Sequence, residues 1–320
     1  MKQFLSVHDV SDVSGLVEKA LTYKRDPYRD DTLGRHKTLG MLFMNPSMRT
    51  RISTQVAARN LGMEAVVFNV DKEGWQLEFQ DGVIMDGAKA EHVKEAAAVL
   101  GQYFDVLAIR TFPGLKDKQE DYRENYMQQF VRYAGIPVVS LESGTRHPLQ
   151  SLADLVTIRE LWAATGRRPK VVMSWAPHVR ALPQSVPNSF AEWVNAWNGA
   201  DFVIAQPEGY ELSEDFTRGA TILHNQEEAL AEADFVYVKN WSSFTDYGKI
   251  LGDHSDWMIT AEKLKKTNQA KVMHCLPVRR NLVISDEVLD SAMSVVTREA
   301  GNRVWAAQAV LSDILAQLKS

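Results

Sequence analysis

The chain has 320 residues, room for two domains at roughly 150 residues each. Apolar residues make up 45% of it and charged residues 24%, the balance of a folded globular protein with a sizeable core, which excludes a disordered or fibrous chain. The formal net charge of -5 argues against a general nucleic-acid binder, which needs a basic face, but leaves room for one local basic pocket.

Short β-branched and aromatic runs alternate with longer helical patterns. In chain order the spacing predicts a helix over Val10–Lys24, a strand over Thr38–Met44, a helix over Met48–Leu61 and a strand over Glu64–Val70. A helix over Ala90–Tyr103, a strand over Asp105–Thr111, a helix over Gln119–Ala134 and a strand over Ile136–Leu141 follow. After a helix over Leu149–Thr165 come a strand over Lys170–Trp175, a helix over Pro187–Trp197 and strands over Asp201–Ala205 and Ala220–Leu223. The rest reads as a helix over Gln226–Ala231, a strand over Asp234–Val238, a helix over Ala261–Lys266, strands over Lys271–His274 and Ser294–Val296, and a helix over Asn302–Leu318.

Such alternation predicts an α/β protein with parallel sheets built from right-handed βαβ units. About ten strands are many for one small sheet, so two α/β domains are expected. The break falls near His147–Gln150, and the helix starting there joins the domains. No repeat or low-complexity tract interrupts the pattern. The opening MKQFLSVHDVSDVSG lacks the apolar stretch of a secretory signal, and no apolar run approaches the roughly 20 residues of a membrane span. One cysteine, Cys275, cannot form an internal disulfide. A cytoplasmic protein with no membrane and no nucleic-acid partner is the expectation.

In parallel α/β folds ligands bind beyond the carboxyl ends of strands, which directs attention to four segments. GMLFMNPSMRTRISTQVAARNLG runs from a strand into a helix that opens at Ser47-Met48-Arg49-Thr50. Free N–H groups at a helix start favour an anion, hydroxyls add donors, and Arg49 adds a planar charged fork that fits phosphate. The bland alternative is that Ser47 merely caps the helix and Arg49 is solvated. VLAIRTFPG leaves Arg110 beside a turn, and VVSLESGTRHPLQSLADL sets Glu142, His147 and Gln150 around a helix start. KVMHCLPVRRNLVISDEV leads a strand into Cys275-Leu276-Pro277 and then Arg279-Arg280, and backbone carbonyls freed by that turn suit an NH₂ group. A buried structural cysteine is the ordinary alternative for Cys275. No Gly-x-Gly-x-x-Gly follows the early strands, against a nicotinamide dehydrogenase. The eight histidines show no metal-ligand spacing, so neither a metal nor a cofactor is expected.

Taken together, SMRTR, HPLQ and HCLP in this order resemble the aspartate/ornithine carbamoyltransferase family, with Met48 where the usual phosphate motif S-T-R-T has its first threonine. The resemblance runs from the first helix to the final GNRVWAAQAVLSDIL. It implies that family's fold: two parallel-sheet α/β domains joined by interdomain helices. Residues 1–148 with the C-terminal helix 300–320 would bind carbamoyl phosphate, and residues 149–299 would bind the amine acceptor. By resemblance Ser47, Met48, Arg49 and Thr50 hold the phosphate. Arg110 and His147, with Thr50, contact the carbamoyl oxygen or the phosphate. His147 belongs with Pro148, Leu149 and Gln150 to the HPLQ motif, in which Gln150 contacts the carbamoyl NH₂. The carbonyls of Cys275 and Leu276, at a Leu-Pro turn that is cis in relatives, face the reaction centre, and Arg303 is a further carbamoyl-phosphate contact. Trp75, in KEGWQLEF, matches a residue supplied by a neighbouring subunit, which implies a homotrimer with shared sites.

For the acceptor, the resemblance is to the acylornithine branch. Ornithine enzymes carry an acidic D-x-W-x-S-M-G segment for the free α-ammonium, whereas this chain reads VYVKNWSSF and places Lys239 there. A cation repels an ammonium and suits a carboxylate on a substrate whose α-amine is blocked, with Glu142 as a second contact. Acetyl-specific relatives have a glutamate, in D-T-E-E-H, at the position of Ala90, and a lysine at that of Val283. Without that glutamate a second substrate carboxylate is not repelled. His178 and Arg279 match contacts to a succinyl-bearing substrate. The resemblance therefore implies N-succinyl-L-ornithine as acceptor, in arginine biosynthesis, with N-acetyl-L-ornithine as the alternative. As a plain alternative, Ala90 begins a helix as a good helix former and Lys239 is solvated.

Overall fold

The computed structural model describes residues 1–162 and 166–318, which divide into two compact units. The first comprises Met1–Leu149 and the described residues from Arg303 onward, and the second Gln150–Asn302. Both boundaries fall inside helices, Pro148–Leu161 and Val296–Leu318.

The first unit holds β1 (Thr38–Phe43), β2 (Glu64–Asn69), β3 (Leu77–Glu78), β4 (Glu91–His92), β5 (Val106–Arg110) and β6 (Val138–Glu142). Its main sheet runs β2-β1-β5-β6, parallel throughout, with Thr38 opposite Glu64 and Leu39 opposite Val106. Strands β5 and β6 are buried along their whole length and so read as mostly apolar runs, ending in Arg110 and Glu142. Leu42, Leu107, Ile109 and Val138 pack against Val93 and Ala97 of the helix Val93–Tyr103 and against Met127 and Phe130. Strands β3 and β4 pair only with each other.

The second unit holds β7 (Lys170–Trp175), β8 (Asp201–Ala205), β9 (Thr221–Leu223), β10 (Phe235–Lys239) and β11 (Lys271–Met273), ordered β11-β10-β7-β8-β9 and again parallel. Phe190 of the helix Ser185–Trp197 stacks on Tyr237 with ring centroids 4.0 Å apart. Arg167 grips Asp234 through both guanidinium nitrogens, at 2.6 and 2.7 Å, below the start of β10.

Each of the two larger sheets has one point where the strand order reverses, the place where open α/β sheets bind ligands. In the first unit it lies between β1 and β5, and the Met44 N–H donates to the Arg110 carbonyl across it at 3.0 Å. In the second it lies between β7 and β10, where the Ala176 N–H donates to the Lys239 carbonyl at 3.1 Å.

Four expectations from the sequence need correction. Gln119–Ala134 is not one helix but two, Lys118–Arg123 and Asn125–Tyr133, broken at Glu124 with φ 50° and ψ 37°. The Glu124 carboxylate is drawn off to accept hydrogen bonds from the Thr145 N–H at 2.8 Å and from the Ser143 and Thr145 hydroxyls. Ser294–Val296 forms no strand: Ser294 makes a single bridge to Val272, and Val296 already starts the last helix. That helix therefore begins six residues before the expected Asn302. Ala90 does not begin a helix; its N–H donates to the Gln76 carbonyl at 3.1 Å, β4 follows, and the helix starts at Val93 with His92 as its cap. The end of the expected helix Leu149–Thr165 at residues 163–165 lies outside the described residues, as do residues 319–320.

Candidate active site

The first unit gathers a cationic, donor-rich cluster at its switch point. Ser47 caps the helix Met48–Asn60: its oxygen accepts from the Thr50 N–H at 3.4 Å, and its hydroxyl donates to the Thr50 hydroxyl oxygen at 3.0 Å. Thr50 is fully buried, and Arg303 reaches it from the C-terminal helix, Nη2 donating to Oγ1 at 2.6 Å. Arg49 opens the same first turn, its Nε buried and without a partner among the described residues. Met48 is exposed, so its side chain adds no polar group here.

Arg110 ends β5 and Glu142 ends β6; their side chains form a buried ion pair. His147 approaches the same carboxylate, Nε2 to Oε2 at 3.5 Å. Glu142, singled out from the sequence for the acceptor substrate, is thus bound to two residues singled out for carbamoyl phosphate. Pro148 takes the first helical position, where its missing N–H costs nothing and its fixed φ suits the helix. Leu149 is buried behind it.

Trp75 and Ala90 come together on the exposed segment around β3 and β4. Trp75 is 60% exposed, and its Nε1 donates to Glu91 at 2.8 Å, next to Ala90. A large aromatic left outside the first unit's core suits contact with something beyond that core.

The second unit assembles its own set. Lys239 ends β10 as a buried cation, 9% exposed. Past the end of β7, His178 accepts from Arg279 Nε on its Nε2 at 3.2 Å, and its Nδ1 faces the Arg180 carbonyl at 3.0 Å. The Arg180 N–H also lies 3.3 Å from Nδ1, so the roles of that nitrogen depend on the ring's tautomer. Burial first, and then the charges of Lys239, Arg279 and Arg180, hold its pKa below the usual histidine range, against the bond to the Arg180 carbonyl.

The strand β11 leads into His274-Cys275-Leu276-Pro277. Leu276 has φ 56°, its N–H donates to His274 Nδ1 at 2.9 Å, and the Leu276–Pro277 peptide is cis. Cys275 is buried, its thiol outside any disulfide.

Two functional candidates escaped the sequence reading: Asp154 and Glu299, both fully buried. Gln150 Nε2 donates to Asp154 at 2.8 Å and lies 3.4 Å from Glu299, while Glu299 accepts the His274 N–H at 2.8 Å. The legible signal was the spacing of Gln150 and Asp154, four apart on a helix and hence on one face. Burial, followed by the charge of Asp154, pushes the Glu299 carboxyl well above the ordinary range. Among the described residues no group of three or more His, Cys, Asp or Glu is arranged to hold a metal ion, and no helix is long and apolar enough to cross a membrane.

With this geometry in place, the comparisons decide the family. Two models match: aspartate/ornithine carbamoyltransferase, carbamoyl-P binding domain, over residues 2–160, and aspartate/ornithine carbamoyltransferase, Asp/Orn binding domain, over residues 183–314. The chain belongs to the aspartate/ornithine carbamoyltransferase family. This carbamoyltransferase family member is 47% identical to the N-succinylornithine carbamoyltransferase of Bacteroides thetaiotaomicron, over 100% of both chains. It is 32% identical to the N-acetylornithine carbamoyltransferase of Xanthomonas campestris pv. campestris, over 99% of this chain and 98% of that one. Among solved structures, it matches a mutant N-acetyl-L-ornithine transcarbamylase, one glutamate replaced by alanine, complexed with carbamyl phosphate and N-succinyl-L-norvaline. The TM-score is 0.91 at 31% identity, over 98% of this chain and 100% of that one. The fold and family implied by SMRTR, HPLQ and HCLP are thus the observed ones.

Proposed function

We propose that the protein transfers the carbamoyl group of carbamoyl phosphate to the δ-amine of N-succinyl-L-ornithine, giving N-succinyl-L-citrulline and phosphate. The neutral amine attacks the carbamoyl carbon; a C–N bond forms, the bond from carbon to the bridging oxygen breaks, phosphate leaves with the electron pair, and the amine loses a proton. In this reading the first unit is the carbamoyl-phosphate domain. The first-turn N–H groups and hydroxyls of Ser47-Met48-Arg49-Thr50, with Arg49 and Arg303, take the phosphate. Thr50, Arg110 and His147 stabilise the charge that grows on the carbamoyl oxygen, where fixed donors lower the barrier most. Glu142 contacts the acceptor and orients Arg110 and His147. Gln150 and the carbonyls of Cys275 and Leu276 receive the carbamoyl N–H groups.

The second unit is the acylornithine domain, and one observation there carries the substrate assignment. Lys239, Arg279 and neutral His178 make the second switch point cationic, where an enzyme for free ornithine needs an acid. Such a set suits a doubly acidic, α-blocked acceptor, and Arg279 offers a fork for its terminal carboxylate. Ala90 removes the carboxylate that would repel it. The solved relative supports this: with one glutamate changed to alanine, it is complexed with an N-succinyl compound. The 47% identity to a named N-succinylornithine enzyme, against 32% to a named N-acetyl one, points the same way. The reading includes a cytoplasmic homotrimer, Trp75 entering a neighbour's site, and a place in arginine biosynthesis.

The test is a colorimetric citrulline-type assay with carbamoyl phosphate and each of ornithine, N-acetyl-L-ornithine and N-succinyl-L-ornithine. The succinyl compound is expected to have the highest kcat/KM. Faster turnover of the acetyl compound would overturn the assignment.

A further inference from the structure

We infer that Asp154 and Glu299 are positioning residues for the reaction, holding the side-chain amide of Gln150 with Nε2 turned inward so that Oε1 is left to accept an N–H of the carbamoyl group. The inference rests on the carbamoyl transfer proposed above and names residues that no catalytic motif of the chain contains.

The orientation follows from what each atom can do. An amide nitrogen carries two donors and its oxygen only accepts, while carboxyl oxygens are chiefly acceptors. Gln150 Nε2 meets Asp154 Oδ1 at 2.8 Å and Glu299 Oε1 at 3.4 Å. Turning the amide round would set its oxygen against a carboxyl oxygen. The inward nitrogen leaves Oε1 buried with no partner among the described residues, and the whole side chain is only 1% exposed. Buried acceptors are nearly always satisfied, so an acceptor kept open is one waiting for a donor.

The same two acids reach the second carbonyl source. Glu299 accepts the His274 N–H on Oε2 at 2.8 Å, fixing the start of the turn whose Cys275 and Leu276 carbonyls are proposed to face the carbamoyl group. Asp154 lies close enough for its charge to raise the Glu299 carboxyl. One buried acid pair therefore orients both the Gln150 carbonyl and the turn. Burial, and then the charge of Asp154, push the Glu299 carboxyl upward, which favours a protonated oxygen facing Asp154 beside the one that accepts from His274.

Asp154→Asn gives Gln150 a neighbouring NH₂ and lets its amide turn round. Its kcat/KM for carbamoyl phosphate is expected to fall about 10- to 100-fold, the size of a lost or reversed hydrogen bond at a buried site. The inhibition constant of inorganic phosphate, which has no N–H to offer, is expected to stay within about twofold. Unchanged kcat/KM in Asp154→Asn, or equal weakening of carbamoyl phosphate and phosphate, would overturn the inference, the second by revealing general structural damage.

A second measurement separates this inference from the proposed reaction. With selective ¹⁵N labelling of glutamine, and Gln150→Met to assign the signal, the Gln150 NH₂ is expected to be protected from exchange in the parent and exposed to it in Asp154→Asn. A freely exchanging NH₂ in the parent sinks the inference whatever the protein's activity. A protected NH₂ in a protein that transfers no carbamoyl group supports the orientation and sinks the reaction alone.

Discussion

Arg303 donates through Nη2 to the hydroxyl oxygen of Thr50 at 2.6 Å, tying the C-terminal helix to the first turn after β1. Both side chains are buried, so the contact is shielded from solvent and competes little with water. It fixes the hydroxyl that the proposed reaction aims at the carbamoyl oxygen.

Arg303→Ala is expected to raise the KM for carbamoyl phosphate about 10- to 100-fold, because it removes a cation and frees the Thr50 hydroxyl at once. Arg303→Lys, a point charge without the planar fork, should recover only part of this. Steady-state kinetics with carbamoyl phosphate varied check both, and an unchanged KM in Arg303→Ala removes Arg303 from the site.

His178 is expected to titrate below the ordinary histidine value of about 6.5. Removing either nearby cation, as Arg279→Ala or Lys239→Ala, should move that titration upward, since each charge opposes protonation. A folded pKa held below the unfolded one means the folded state resists the proton. The contribution to stability is therefore constant above about pH 6.5 and declines as pH falls from there to the folded value. Imidazole proton chemical shifts followed from pH 8 to pH 4 check the direction, and a titration above the ordinary value contradicts it.

Ala90→Glu is expected to leave stability within about 0.5 kcal/mol, since the site is exposed and outside any helix. The ratio of kcat/KM for N-succinyl- over N-acetyl-L-ornithine should fall at least about tenfold, as two like charges brought close repel by more than 1 kcal/mol even in a polar setting. Paired assays of both acceptors give the ratio; an unmoved ratio means that repulsion at residue 90 is not the discriminator.

Glu124→Ala takes away the acceptor for the Thr145 N–H and for two hydroxyls in the loop that precedes His147. Unpairing such groups costs about 1–3 kcal/mol, to be read from urea unfolding. A loosened His147 should lower kcat more than it raises KM. Full kcat with the stability loss would show the loop to be scaffold only.

The strands β7 and β8 were legible to the residue, because buried parallel strands read as short, mostly apolar runs bounded by polar or turn residues. The capped helix start at Ser47–Thr50 was legible for a local reason, a strand running into a helix with a serine at its head. What the sequence hid depended on partners far along the chain. Glu124 leaves the helix for residues 143–145, and nothing near position 124 announces it. Ser294–Val296 looked like a strand by residue type, and only its place at the head of a long helix decides otherwise. Arg110 and Glu142 looked like binders of different substrates until two adjacent strand ends brought them into one ion pair.

That ion pair means Arg110 already has a resident counter-ion before any substrate arrives. In the proposed reaction the charge growing on the carbamoyl oxygen meets a guanidinium that is partly neutralised, so its pull is moderated from the start. The same carboxylate, in that reaction, takes the arginine back once the charge on the carbamoyl oxygen has collapsed, which resets the donor for the next turnover.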